Sequence, residues 1–180
     1  MDVWEQNLIA VIDDYLKNYK GMTGSGSPLL TGLAPTGGQY MVAQAQKTGV
    51  DPSLVLGICR SESSTATNPN LNGGRFNIFG NSYHFSVFAG TNKKTNYILY
   101  TSYADATDDV FALLQQYIAA GLITTDAIYK RYEGEASWQQ NVPAIKATQQ
   151  RLTGDPTNVR YQFDDARKAA LAKLAADIKK

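Results

Sequence analysis

Apolar positions recur at helical spacing through most of the chain. Val3, Trp4, Leu8, Val11, Ile12, Tyr15 and Leu16 form one stripe over 1–20, with acids early and Lys17 and Lys20 late, which predicts an amphipathic helix. A stripe carrying Trp4 needs a partner surface, so this helix is expected to pack back on a core. Residues 21–38, rich in Gly, Ser, Thr and Pro, read as a connection. A second helix is expected over 39–47, closed by Gly49. The next start has three local supports: Asp51 suits the N-cap, Pro52 the first helical position, and Val50 with Val55 the hydrophobic staple. Every residue over 54–59 is apolar or Gly, so this helix is expected to be buried on most sides, and it must stop near Glu62, before a Ser/Thr/Asn/Pro stretch.

The pattern then changes. Residues 68–74 form a polar loop, and 83–88 and 96–100 have the aromatic and β-branched composition of two strands around a polar turn, a β-hairpin. Helical spacing returns over 102–120, where Ser102 can cap, Asp105 stands at the capping-box position, and Val110, Phe111, Leu114, Tyr117 and Ile118 form the stripe before Gly121. Its early acids, Asp105, Asp108 and Asp109, suit the helix dipole. Shorter helices are expected over 125–132 and over 143–152, the latter opened by Pro143 and closed by Gly154. A last amphipathic, solvent-facing helix is expected over 160–180, docked on the domain or leading into another. The fold class is therefore mainly α with a small β element, in three stretches: 1–38, 39–154 and 155–180.

A chain of 180 residues can bury a real core as one domain. With Lys+Arg 17 against Asp+Glu 16, charge gives no case for nucleic acid or an anionic membrane, so binding must rest on shape and hydrogen bonds. The single cysteine, Cys59, excludes an internal disulfide and reads as a small core residue. His84, the only histidine, has no partner cluster, and no His/Asp/Glu/Cys group has ligand spacing, so neither metal nor cofactor is expected. No secretory signal or membrane-spanning stretch is expected either.

Chemistry concentrates at Glu62. A carboxyl at the end of an apolar helix meets two effects that disfavour the anion, desolvation and the negative end of the helix dipole, and both suit a general acid. The plainer reading is a solvated helix-end residue paired with Arg60.

Beyond the loop, Asn77-Ile78-Phe79-Gly80 follows Glu62 in a way that resembles the Glu, loop, Asn-Leu-Phe-Gly signature of the glucosaminidase family of peptidoglycan hydrolases, found in autolysins, flagellar glucosaminidases and phage lysins. The resemblance spans roughly 39–150. It implies a lysozyme-like helical domain with a small β-lobe beside the cleft, and action at the bacterial cell wall, outside the cell or from a virion. It also implies β-1,4-glycan cleavage in peptidoglycan with Glu62 as proton donor. Tyr132 and Trp138 are similar to the family's two cleft aromatics, although a tyrosine is usual where Trp138 stands. Asn77, Phe79, Gly80, Tyr83, Tyr100, Tyr132 and Trp138 are accordingly the expected substrate contacts, the tyrosines among them also as flat faces for sugars.

One feature departs from common glycosidases, which flank the scissile bond with two carboxylates. Between Ser63 and Ala104 there is no Asp or Glu. A distant acid such as Glu133, Glu135 or Asp105 could serve as base. Otherwise the substrate's own acetamide attacks, with Asn77 and Tyr132 beside it, or no water is used, as in lytic transglycosylases. The last usually carry Gly-Leu-Met-Gln after the acid, absent here. A muramidase on the same fold, or an inactive wall-binding or structural component, would also be compatible with these residues.

Overall fold

The computed structural model describes residues 1–21, 24–68, 76–80, 97–134 and 138–180, together with the backbone of 90–91. The expected strand 83–88, with Tyr83 and His84, and the candidate base Glu135 lie outside them. Among the described residues the protein is mainly helical, with eight helices and one short antiparallel pair.

The buried centre is α4 (Pro52–Ser63). Asp51 caps it by accepting the Ser53 amide at 2.9 Å, and Leu54, Val55, Leu56, Ile58 and Cys59 are fully buried. Burial on most sides follows from its apolar run. α4 packs most closely on α7 (Trp138–Thr153) at Gly57, where a β-carbon would stand 2.7 Å from Ile145 Cγ2 and 3.1 Å from its Cα. A glycine is what lets the two backbones come this near. α7 begins at Trp138, so Pro143, expected at the start, is interior. One turn down, the ring removes a single backbone donor and the helix continues through it.

Around this pair lie α1 (Val3–Asn18), α3 (Gly37–Thr48), α5 (Tyr103–Ala119) and α6 (Thr125–Glu133). α1 buries Leu8, Val11, Ile12, Tyr15 and Leu16 and packs on α3, α7 and α8 (Asp165–Asp177). Gly49 ends α3 in the left-handed region, Ser102 caps α5 by accepting the Asp105 amide, and Thr124 caps α6 by accepting that of Ala127. The 21–38 connection contributes a short helix, α2 (Leu29–Gly32), with Leu29 and Leu33 fully buried. β1 (Gly90–Thr91) pairs antiparallel with β2 (Ile98–Leu99), Gly90 opposite Leu99.

The C-terminal stretch differs from the expected helix over 160–180. Its helix starts only at Asp165, capped by Asp164, because the preceding backbone is occupied: the Asp51 amide donates to Val159 and the Tyr161 amide to Gly49. From α8, Arg167 Nη2 reaches Asp51 Oδ2 at 2.7 Å, Asn158 Nδ2 donates to the same oxygen at 2.9 Å, and Phe163 lies 4.0 Å beneath the guanidinium. Burial pushes the Asp51 carboxyl up, against the pull of Arg167 and Ser53. At the other end of this seam Trp4 stacks on Phe163 at 4.7 Å, and Glu5 accepts from Gln46 and Tyr161. The stretches 1–38, 39–154 and 155–180 thus share one hydrophobic core. No helix among the described residues is long and apolar enough to cross a membrane.

Candidate active site

Glu62 sits in the last turn of α4, and the chain leaves that helix through an unusual turn. Ser64, Thr65 and Ala66 have φ of 52°, 54° and 64°, three successive left-handed residues with no glycine among them. Each costs about 1–2 kcal/mol, so surrounding bonds must hold the turn. The Thr65 amide donates to Cys59 O, Ser27 Oγ to Thr65 O at 2.7 Å, the Ala66 amide to Ser63 Oγ at 3.0 Å, and the Tyr15 and Thr65 hydroxyls meet at 3.2 Å. Tyr15 and Ser27 belong to the N-terminal stretch, which in this way fixes the exit from the Glu62 helix. A concavity of about 380 Å³ opens beside the turn, lined by Ser27, Leu30, Ala66, Thr67 and Tyr103 among others.

The carboxyl itself meets α6. Tyr129, fully buried, donates its hydroxyl to Glu62 Oε1 at 2.7 Å, and this hydroxyl also lies 3.4 Å from Glu133 Oε2 one turn along. Ser61 Oγ approaches the Tyr129 hydroxyl at 3.2 Å, and Asn141 Nδ2, from α7, donates to the Tyr129 hydroxyl oxygen at 3.2 Å. Glu133 is also within hydrogen-bonding reach of Glu62. Desolvation is the main force on the Glu62 carboxyl, and with the Glu133 charge and hydrogen bond it outweighs the opposing Tyr129 hydrogen bond, raising the pKa to about 7. Arg60, which would pair with a solvated helix-end Glu62, donates instead to Thr148 Oγ1 at 3.2 Å. The arrangement can hold a proton at neutral pH and release it to a bound group.

The Asn77-Ile78-Phe79-Gly80 segment is a turn pinned to this wall. Asn77 donates Nδ2 to Ile98 O at 3.0 Å, and Tyr132, stacked 6.0 Å from Tyr129, gives its hydroxyl to Phe79 O. Both side chains hold backbone of the wall. Phe79 and Tyr100 were expected to touch substrate, but both are fully buried, and Tyr100 donates to Asp109 at 2.7 Å; they build the wall from inside the core. Gly80 supplies a positive φ of 68° at the end of the turn. Phe76 is the exposed ring here, edge-on to Tyr103 at 4.9 Å. Trp138 is half-buried at the first position of α7 and packs against the core. Asp105 takes the Thr101 hydroxyl and adds to the acidic surroundings of Asp108 and Tyr40 at α5.

The structure therefore gathers Glu62, Glu133 and Tyr132 and adds Tyr129, Asn141 and Ser61, which sequence reasoning missed. The one local signal was the Tyr129–Glu133 spacing of four, which puts both on one helix face. Among the described residues no three His, Cys, Asp or Glu side chains gather to hold a metal ion.

No protein-family model, curated protein or solved structure matches the chain.

Proposed function

We propose that the protein is a peptidoglycan hydrolase of the endo-β-N-acetylglucosaminidase type, cutting β-1,4 bonds of bacterial cell-wall glycan with Glu62 as general acid. The observation that carries this is the Glu62 carboxyl, desolvated at the end of α4, hydrogen-bonded by Tyr129, and holding its proton to about pH 7. The mainly helical fold, the β1–β2 pair and the turn at 77–80 support a lysozyme-like arrangement with a β-hairpin beside the cleft.

Glu62 protonates the leaving oxygen. A second carboxylate across the bond would stand about 5–9.5 Å away, whereas Glu133 is within hydrogen-bonding reach of Glu62 and leaves no room for a sugar between them. Among the described residues this geometry favours the substrate's acetamide as nucleophile, with Glu62 then acting as base towards water. An exposed ring at Phe76 and a near-neutral surface suit an uncharged glycan strand.

Purified peptidoglycan treated with the wild type and with Glu62→Gln, followed by borohydride reduction and mass spectrometry, tests the proposal. Fragments reducing at N-acetylglucosamine and lost in the variant are expected. Reducing N-acetylmuramic acid or anhydromuramyl ends would reassign the enzyme to a muramidase or a lytic transglycosylase, and no fragments from either protein would leave a wall-binding or structural role.

A further inference from the structure

Tyr129 has one phenolic proton and two carboxylates within reach. Glu62 Oε1 at 2.7 Å and Glu133 Oε2 at 3.4 Å are unequal acceptors, and the proton goes to the nearer. The other side of the phenol oxygen is occupied. Asn141 Nδ2 can only donate, so at 3.2 Å it fills a lone pair and turns the Tyr129 proton away from itself, and Ser61 Oγ lies at the same distance. Asn141 sits on α7 and Ser61 on α4, the helices that approach closely at Gly57, so the phenol is aimed from two elements packed directly on each other.

In a protonated carboxyl one oxygen is the carbonyl-like acceptor and the other bears the hydrogen. An oxygen already accepting a short hydrogen bond is the poorer place for a proton. We propose that Tyr129 is a positioning residue: aimed by Asn141 and Ser61, its hydroxyl fixes Glu62 Oε1 as the acceptor and makes Oε2 the oxygen that carries and delivers the proton. The Glu62 and Glu133 carboxyls can hydrogen-bond to each other only with one proton between them. When a substrate oxygen takes the Oε2 proton, the electron pair left on Glu62 is stabilised by the Tyr129 bond already in place, and the phenol keeps its own proton because burial and the Glu62 charge hold it far above its usual range. The catalytic meaning of this assignment rests on the proposed glycan cleavage; the placement of the proton does not.

The titratable groups around this cluster are Glu133 and Tyr132 on α6 and Cys59 and Arg60 on α4, with Tyr100 and Tyr117 acting on Tyr132. Arg60 is turned to Thr148 and burial pushes the Cys59 thiol up to about 12, which leaves Glu133 as the carboxyl that faces Glu62 across the Tyr129 hydroxyl.

The test reads the carboxyl directly. In protein labelled with 13C at glutamate carboxyls, Tyr129→Phe is expected to move the Glu62 titration upward. It should also raise the infrared C=O stretch of protonated Glu62, since the acceptor hydrogen bond on its carbonyl oxygen is gone. Tyr132→Phe, whose hydroxyl serves Phe79 O, is expected to leave that stretch in place, and Asn141→Ala should reproduce the Tyr129→Phe changes in part, which keeps the test decisive should Tyr129→Phe not fold. An unchanged C=O stretch, or a Glu62 titration that stays put or moves down, overturns the assignment. On glycan, Tyr129→Phe should lower kcat about tenfold or more with KM little changed, as for a lost hydrogen bond to a charged group, while the high-pH limb moves up. If the wild type cuts no glycan, the functional proposal fails and the two spectroscopic readouts still decide the role of Tyr129.

Discussion

Gly57→Ala isolates the contact on which the α4–α7 pair depends. In an exposed helix the substitution would stabilise by about 1 kcal/mol, because alanine has the higher helix propensity. Here the new methyl would stand 2.7 Å from Ile145 Cγ2 and 3.1 Å from both its Cα and its carbonyl oxygen. Cγ2 belongs to a β-branched, fully buried side chain close to the backbone, so it cannot swing aside as a long side chain would. Relief requires the helices to part by several tenths of an ångström along a seam of buried side chains, and overpacking of this kind costs about 1–3 kcal/mol. The net expectation is destabilisation by up to about 2 kcal/mol, a fall in Tm of up to about 8 °C for a chain of this size, measured by thermal and urea unfolding. Ile145→Ala is costly alone, about 2–5 kcal/mol from the cavity it leaves, yet it removes the nearest clash, so the double variant should lose less than the sum. A higher Tm for Gly57→Ala, or additivity within about 0.5 kcal/mol, would refute the close-packing argument.

Glu62 binds its proton more tightly in the folded protein than its ordinary value of 4.5 allows, so its contribution to stability is full below about pH 4.5 and is lost as pH rises to about 7. Discounted for partial exposure, the loss is about 2 kcal/mol, and Glu62→Gln should gain that much over wild type between pH 4.5 and 8 in urea unfolding; an equal difference at both pH values would contradict the burial argument. Glycan cleavage should fall above about pH 7 as the acid loses its proton, seen in a pH–rate profile. Arg167→Ala strands the buried Asp51 carboxylate and should cost about 3 kcal/mol at neutral pH, less in acid, where Asp51 takes up a proton; a loss below about 1 kcal/mol would show that Asn158 and Ser53 suffice. Ser64→Gly, at a φ of 52°, should stabilise by about 1 kcal/mol in chemical denaturation, since glycine occupies that region without penalty; a destabilised variant would show that the turn is unstrained.

Local signals placed several helix boundaries well. Asp51, Pro52, Ser102 and Gly49 act through neighbours within four residues, and the structure puts each in its expected capping role. The elements that shifted were governed from afar. Residues 160–164 have helical spacing, but Gly49 and Asp51 occupy their backbone and that of Val159, so α8 waits until Asp165. Pro143 resembled a helix start, and nothing nearby announced that α7 already runs from Trp138. At the site, Glu62 was legible from the apolar run that ends on it. Tyr129 was not, since its partner lies 67 positions away, and neither were the carbonyls that Asn77 and Tyr132 hold, because Ile98 and Phe79 lie 21 and 53 positions from them.

The left-handed turn behind Glu62 also bears on modularity. Its restraints arrive from Tyr15 and Ser27, and the cap of the same helix is completed by Arg167, so the acid's aim is inherited from both flanks of the chain. A segment cut at 39 and 154 would carry Glu62 and the Asn77 turn but strip the turn of its Tyr15 and Ser27 restraints and Asp51 of its ion pair with Arg167. The unit that could be transplanted or shuffled between proteins with this site intact reaches at least from α1 to α8.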